Sequence, residues 1–376
     1  MMVTHTSSNQ NKSQRAPYDI QLLFPVLFLV GLGVVMVYSA SSAMALKKFG
    51  SDYFFLKKQA FFTLLGIIVL VFCRHFPYTF YRPLSYPVLL LSLVFLIAVF
   101  IPQLGLSAGS ATRWLRVGRF TFQPSELARF ALVIYLAYSL EKKGERLKDF
   151  AIGFLPHMLI PAIFAALIFM QPDFGSVVIL SVLTWLMLFI GGVRLKHLSV
   201  SILALLPIGM YLLMSAEYRW KRLLGFIDPW QYPADEGYQV VHSLMAFGTG
   251  GLWGAGIGKG YQKLFYLPEP HTDFIFSVIG EELGLVGILV IIGLYAWILV
   301  RGIQIAKMTE NPFGSLLAVG LTVAMGLQIV VNMGVALGLL PTKGLTLPFL
   351  SYGGTSLLLN MASIGILLNI SAARQA

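Results

Sequence analysis

The stretch DFIFSVIGEELGLVGILVIIGLYAWILV, residues 273–300, decides the fold class. It is longer than the roughly 20 apolar residues that cross about 30 Å of hydrocarbon, yet it opens on Asp273 and carries Glu281 and Glu282. Working outward, nine more segments qualify as spans: 20–41, 59–74, 84–102, 124–140, 151–170, 174–192, 198–215, 314–337 and 347–371. Composition agrees. Of 376 residues, 57% are apolar and only 11% charged, less than half the roughly 25% of an average soluble domain. A soluble enzyme, a disordered protein and a disulfide-bonded secreted scaffold are excluded, the last also because Cys73 is the single cysteine. The six histidines form no HxxxH-type pair.

In lipid the backbone must satisfy its own hydrogen bonds, so these runs predict an all-α, polytopic helical bundle of about ten transmembrane helices. No internal repeat signals an inverted-repeat transporter. Residues 1–18 are polar and read as a disordered cytoplasmic tail without a signal-peptide cleavage site. Residues 19–376 read as the membrane domain, with one large extracytoplasmic loop at 216–272. An even number of spans puts both termini on one side. The formal charge of +11 invites a nucleic-acid reading, but the Lys and Arg divide evenly, thirteen to each side, with Arg129 inside a span. The positive-inside rule therefore ties, and the compact basic loop EKKGERLKD at 141–149 places the termini in the cytoplasm. The outer loops are then more basic than topology needs, which points to an anionic ligand on that face and not to nucleic acid.

Asp273 stands where the long loop meets its span, two positions after His271. Carboxylates at membrane depth face a cavity or a partner, and partial desolvation there suits a general base; a helix cap from Thr272 or Asp273 is the alternative. Glu281 and Glu282 lie roughly 12–14 Å deeper on a helix, and only Glu281 leans to the same side. Pairing with buried basic groups from another span is their expected role. In RWLRVGRFTFQPSELARF (113–130), Arg113, Arg116 and Arg119 would share a face if helical, beside Trp114, and their guanidinium forks suit phosphate. Pro124 starts the next helix, with Gln123 or Ser125 as cap, and Glu126 with Arg129 forms an i,i+3 pair. The glycines of GTGGLWGAGIGKG (248–260), next to Lys259, would let backbone N–H groups approach phosphate; re-entrant packing is the blander reading. GLLPTKGLTLPFLSYGGTS (338–356) breaks its apolar pattern around Lys343. A carboxylate, cations and apolar spans on one face suit a lipid-linked anionic substrate, the carboxylate deprotonating a hydroxyl and the cations stabilising a departing diphosphate.

MVYSASS (36–42), QPSEL (123–127), QPDFGS (171–176), FIDPW (226–230), LPEPHTDFIFSVIGEELGLVG (267–287) and LPTKGLTLPFLSYGGTS (340–356) resemble the SEDS (shape, elongation, division, sporulation) family. These are bacterial membrane glycosyltransferases that polymerise peptidoglycan. PTKGLTLPF and MVYSAS are similar to the division branch. The resemblance implies ten spans in the cytoplasmic (inner) membrane, with the active site on the outer face. It implies lipid II as substrate, undecaprenyl diphosphate as the released product, and as partners a class B penicillin-binding protein transpeptidase and divisome proteins. It makes Asp273 the catalytic carboxylate, as base or as ligand of an activating cation. It makes Arg113, Trp114, Gln123, Ser125, Glu126, Lys343, Ser351 and Tyr352 substrate contacts, to which the residue reading adds Arg116, Lys259, His271 and Thr272. Two departures stand out: GSATRW (109–114) has Thr112 at a position commonly basic, and Arg129 replaces the usual Lys. No protein metal site is expected; Mg²⁺ or Mn²⁺ would arrive with the diphosphate. The alternatives are a lipid II flippase and a scaffold for the transpeptidase.

Overall fold

The computed structural model describes residues 18–108, 111–118, 120–264 and 266–373; the expected tail, save Tyr18, lies outside them, as does Arg119. The helices are α1 (Ile20–Phe49), α2 (Phe54–His75), α3 (Tyr81–Ala98), α4 (Pro124–Lys143), α5 (Leu155–Met170), α6 (Phe174–Ile190), α7 (Leu195–Met214), α8 (Glu217–Ile227), α9 (Tyr238–Gly250), α10 (Ile275–Met308), α11 (Pro312–Ala336) and α12 (Gly354–Ala373). The ten expected spans fall on α1 to α7 and α10 to α12. Eight of these helices are long and apolar enough to cross a membrane. Of the other two, α6 has 17 residues, and α4 carries Glu126, Arg129 and a charged last turn.

Local chemistry sets the ends. Asp19 caps α1, its side chain accepting from Leu22 N–H at 3.3 Å, and Gly50 closes α1 in the left-handed region. Asn311 caps α11 through Phe313 and Gly314 N–H, with Pro312 at the first helical position. Pro124 starts α4 as expected, but Gln123 caps it without a side-chain bond. The last span begins at Gly354, later than expected, because residues 337–353 form an irregular loop.

The bundle is built around α4, α10, α11 and α12. Leu132, Ile134, Leu136, Phe276, Phe313, Tyr295 and Met361 are all buried there. Its periphery is looser: α7 buries only Leu198, the mark of a helix facing lipid on nearly every side.

The helical condition for the Arg113 stretch is not met: among the described residues it forms a three-stranded antiparallel sheet in the order β1 (Gly105–Ala108), β2 (Ala111–Val117), β3 (Phe120–Phe122). Leu106 pairs with Trp114 and Leu115 with Phe122. The β-branched and aromatic residues Thr112, Trp114 and Val117 suit a strand, and the period of two puts Arg113 and Arg116 on opposite faces. The small sheet is an addition to an otherwise helical fold.

The 216–272 connection is also more ordered than a loop. It holds α8, α9 and then a glycine-rich segment laid against α10. At Gly284 (φ 65°, ψ −167°) α10 is broken, a conformation that favours glycine. The freed backbone groups are met by the glycine-rich segment: Ala255 and Gly256 N–H donate to the carbonyls of Glu281 and Glu282 at 2.9 and 3.0 Å, and Leu285 and Val286 N–H donate to those of Gly251 and Leu252.

Candidate active site

Asp273 is placed by the loop before α12. Ser351 Oγ donates to the Thr272 carbonyl at 2.6 Å while accepting from Leu347 N–H at 2.7 Å, and Tyr352 N–H donates to the His271 carbonyl at 2.8 Å. From α11, the Asn332 amide donates to the Asp273 carbonyl at 2.9 Å and to that of Leu345. The N-cap of α10 is Phe274, without a side-chain bond, so the Asp273 carboxylate is not spent on capping.

Two cavities flank this segment. The first, about 490 Å³, is lined by Lys48, Lys58, Trp114, Glu269, His271, Thr272 and Tyr352 beside Phe49 and Phe55. The second, about 240 Å³, is lined by Arg113, Asp173, Arg219, Arg222, Lys343 and Gly344 with apolar walls from Leu213, Val331 and Leu340. Asp273 adjoins both without lining either: its chain neighbour Thr272 lines the first, and a Cβ added to Gly344 of the second would lie 2.8 Å from Asp273 Oδ2. Both cavities join cations to apolar surface.

Their electrostatics differ. In the second cavity Lys343 Nζ donates to Ser176 Oγ at 3.0 Å and lies 3.8 Å from Asp173 Oδ1. Asp173 caps α6, accepting from Ser176 N–H and Oγ–H at 3.1 and 2.6 Å. Arg113 donates to the Pro172 carbonyl. Burial alone would raise the Asp173 carboxyl, but Lys343 and Arg113 hold it below its usual value. Burial pushes Lys343 down to about 8 against the pull of Asp173. Asp273 is pushed up to about 7, first by its enclosure and then by the Glu269 carboxylate, against a Thr272 hydrogen bond and the charges of Arg113 and Arg222. His271, wedged between Phe55 and Tyr352, is held down to about 4 by burial and by Lys48. It is a neutral imidazole at pH 7, and its Nδ1 has no hydrogen-bond partner.

The structure gathers many of the sequence candidates. His271, Thr272, Tyr352 and Trp114 line the first cavity, and Arg113 and Lys343 the second; Asp273 adjoins both through Thr272 and Gly344, and Ser351 works beneath them as a staple. Gln123, Ser125 and Glu126 line a void of about 10 Å³ below Ser176. Arg129 donates to Gln328 at 3.0 Å. Arg116 and Lys259 are exposed and line neither cavity. Glu282 pairs with Lys263 at 2.5 Å, while Glu281 accepts the backbone N–H groups of Tyr261 and Gln262. The glycine-rich segment thus directs backbone donors to α10. Sequence reasoning missed Asp173, although QPDFGS carries a carboxylate at a span boundary just as HTDF does. It also missed Arg219 and Arg222 as cavity residues, since nothing in sequence brings α8 to α6. Among the described residues no group of three or more His, Cys, Asp or Glu could hold a metal ion.

Comparison with known proteins completes the picture. The profile of a family described as cell cycle protein, FTSW_RODA_SPOVE, matches residues 20–376. A probable peptidoglycan glycosyltransferase FtsW of Geobacter metallireducens is 46% identical over 354 residues, covering 94% of each chain. A chain from a solved peptidoglycan synthase complex, described as coordinating polymerization and crosslinking, superposes with a TM-score of 0.79 at 30% identity, covering 95% of this chain and 98% of that one. The rod shape determining protein RodA of Thermus thermophilus superposes with a TM-score of 0.67 at 29% identity, covering 96% and 98%.

Proposed function

This chain belongs to the FtsW/RodA/SpoVE family of cell cycle proteins, and from that premise we infer that it is a peptidoglycan glycosyltransferase of cell division, polymerising lipid II into glycan strands. The observation that carries the site assignment is that Asp273 adjoins two cation-lined cavities, through Thr272 and through Gly344. Polymerisation joins two lipid-linked diphosphates at one point, so it needs two basic seats and a base where they meet.

Each cavity takes one lipid-linked sugar. The 4-hydroxyl of one lipid II attacks the anomeric carbon of the growing chain. The bond from that carbon to the diphosphate oxygen breaks, and its electron pair leaves with undecaprenyl diphosphate. The hydroxyl proton passes to Asp273. A carboxyl raised to about 7 is well matched to this task near neutral pH. We assign the departing diphosphate to the smaller cavity, where Arg113, Arg219, Arg222 and Lys343 outnumber Asp173 and meet the charge that develops on the leaving oxygen. The larger cavity then holds the attacking sugar. There the neutral His271 and the Trp114 and Tyr352 rings suit a sugar face.

We place this end of the bundle at the outer face of the cytoplasmic membrane, both termini inside, with a class B penicillin-binding protein transpeptidase and other divisome proteins as partners. A divalent cation, Mg²⁺ or Mn²⁺, travelling with the diphosphate would neutralise phosphate charge. Asp273 and Glu269 are hard oxygen donors of the kind such an ion takes, and phosphate and water would supply the remainder. Loss of activity in chelator with rescue by either ion tests that arm.

The deciding experiment is lipid II polymerisation by the purified chain with its transpeptidase partner, wild type against Asp273→Asn. Glycan strands from the wild type and none from the Asn variant, with complex formation intact, support the assignment. Normal polymerisation by the Asn variant overturns the role of Asp273. Lipid II translocation in vesicles without any polymer supports a flippase instead.

A further inference from the structure

Asp273 lies at the start of a short helical piece. The break at Gly284 separates residues 275–283 from the long remainder of α10, so the first piece has too few turns to be held by its own hydrogen bonds. Besides the backbone bonds from Ala255 and Gly256 to the Glu281 and Glu282 carbonyls, side chains tie it down. Glu281 accepts from Tyr261 N–H at 2.7 Å and from Gln262 N–H at 3.2 Å. Glu282 receives the Lys263 ammonium at 2.5 Å and both its oxygens accept from Ser39 Oγ, at 2.7 and 2.8 Å, while Lys263 also donates to Ser39 Oγ at 2.9 Å. All three side chains are buried. They belong to α1, the glycine-rich segment and α10, so one buried cluster ties three parts of the chain together.

Its place is informative. Glu282 lies two residues before the break at Gly284, and the other end of the short piece leads directly to Asp273. A buried pair of charges is a weak source of net stability compared with apolar packing, and apolar packing was available in a bilayer. What an ion pair with a shared hydroxyl adds is a defined direction. We propose that Lys263 and Glu282, closed by Ser39, are positioning residues that set the orientation of residues 275–283 and so the height of Asp273 between the two cavities. The proposal rests on Asp273 as the reacting carboxylate; neither Lys263 nor Glu282 touches substrate.

The test uses the full-length chain in complex with its partner and compares Glu282→Gln, Lys263→Met, Lys263→Arg and Ser39→Ala. Two readouts are taken: hydrogen exchange of the amides of 275–283 against those of 285–308, and kcat and KM for lipid II. Misplacement of a reacting group by about 1 Å costs on the order of a hundredfold. The expected result for Glu282→Gln and Lys263→Met is therefore a loss of about 10- to 100-fold in kcat, with KM unchanged and faster exchange confined to 275–283. Lys263→Arg, which keeps the charge, restores most of the rate. If the two stronger variants do not accumulate, Ser39→Ala carries the test with a smaller loss of the same signature.

Wild-type kcat in the variants, or a change in KM alone, overturns the proposal, as does exchange that rises equally along all of α10. Because exchange is read without substrate, its outcome is independent of the assignment of Asp273. An active Asp273→Asn variant would overturn that assignment while leaving the exchange result standing.

Discussion

Two lysine–carboxylate pairs sit near the segment that holds Asp273, and they are built differently. Lys343 stands 3.8 Å from Asp173, with 14% of its side chain exposed, and faces a cavity that also holds Arg113. Lys263 stands 2.5 Å from Glu282, the two side chains 5% and 0% exposed, with a serine hydroxyl bonded to both. The first pair keeps charge in reserve, since an ammonium that is not fully matched and lines a space can turn to an incoming anion. The second has no charge to offer. Identical functional groups thus do opposite work, and distance and access decide which.

The widest separation between reaction and scaffold is expected at Asp273 itself. Asp273→Asn lowers polymerisation by about 10²- to 10⁴-fold, the range for loss of a general base, with the thermal midpoint of the complex unchanged. Lys343→Met comes next, with a loss of about 10²-fold, typical of removing a group that stabilises a developing oxyanion. At the closed pair the order of effects inverts. Glu282→Gln strands a buried ammonium and loosens residues 275–283, read as a lower unfolding midpoint in detergent, whereas Lys343→Met leaves that midpoint nearly in place. If Lys343→Met proved the more destabilising of the two, the contrast between an open and a closed pair would be wrong.

A pH series sharpens the same contrast. The proposed roles require Asp273 ionised and Lys343 protonated, so the rate is expected to rise through about pH 7 and fall through about pH 8, giving a narrow bell. Glu269 helps to hold the Asp273 carboxyl up, so Glu269→Gln moves the rising limb to lower pH and leaves the falling limb in place. Smallest of all, Lys259→Ala changes the rate by less than about twofold, as expected for an exposed side chain outside both cavities.

Much of this was legible in the sequence, for physical reasons. Long apolar runs specify helices in lipid with little ambiguity, and a carboxylate such as Asp273 at the edge of a span is conspicuous against that background. The remainder depended on contacts that local patterns do not encode. The basic residues of 111–117 read equally as a helical face until strand pairing fixes them in β2. Glu282 is visible as a buried acid, but its partner Lys263 lies in a glycine-rich stretch that had no periodicity to place it. Arg219 and Arg222 reach the second cavity only because α8 folds back toward the start of α6. The break at Gly284 is hidden because glycine is common in membrane helices and its φ is set by what packs against it.

The clamp around Glu282 has a consequence for how the chain is made. Ser39 and Glu282 are 243 residues apart, so α1 waits for α10 before its hydroxyl finds its partners. Contacts of such high sequence separation form late. On the proposed positioning role, Asp273 does not reach its working height until then. A half-inserted chain therefore holds its substrate lipids, if at all, without the means to join them, and competence arrives with the last third of the protein.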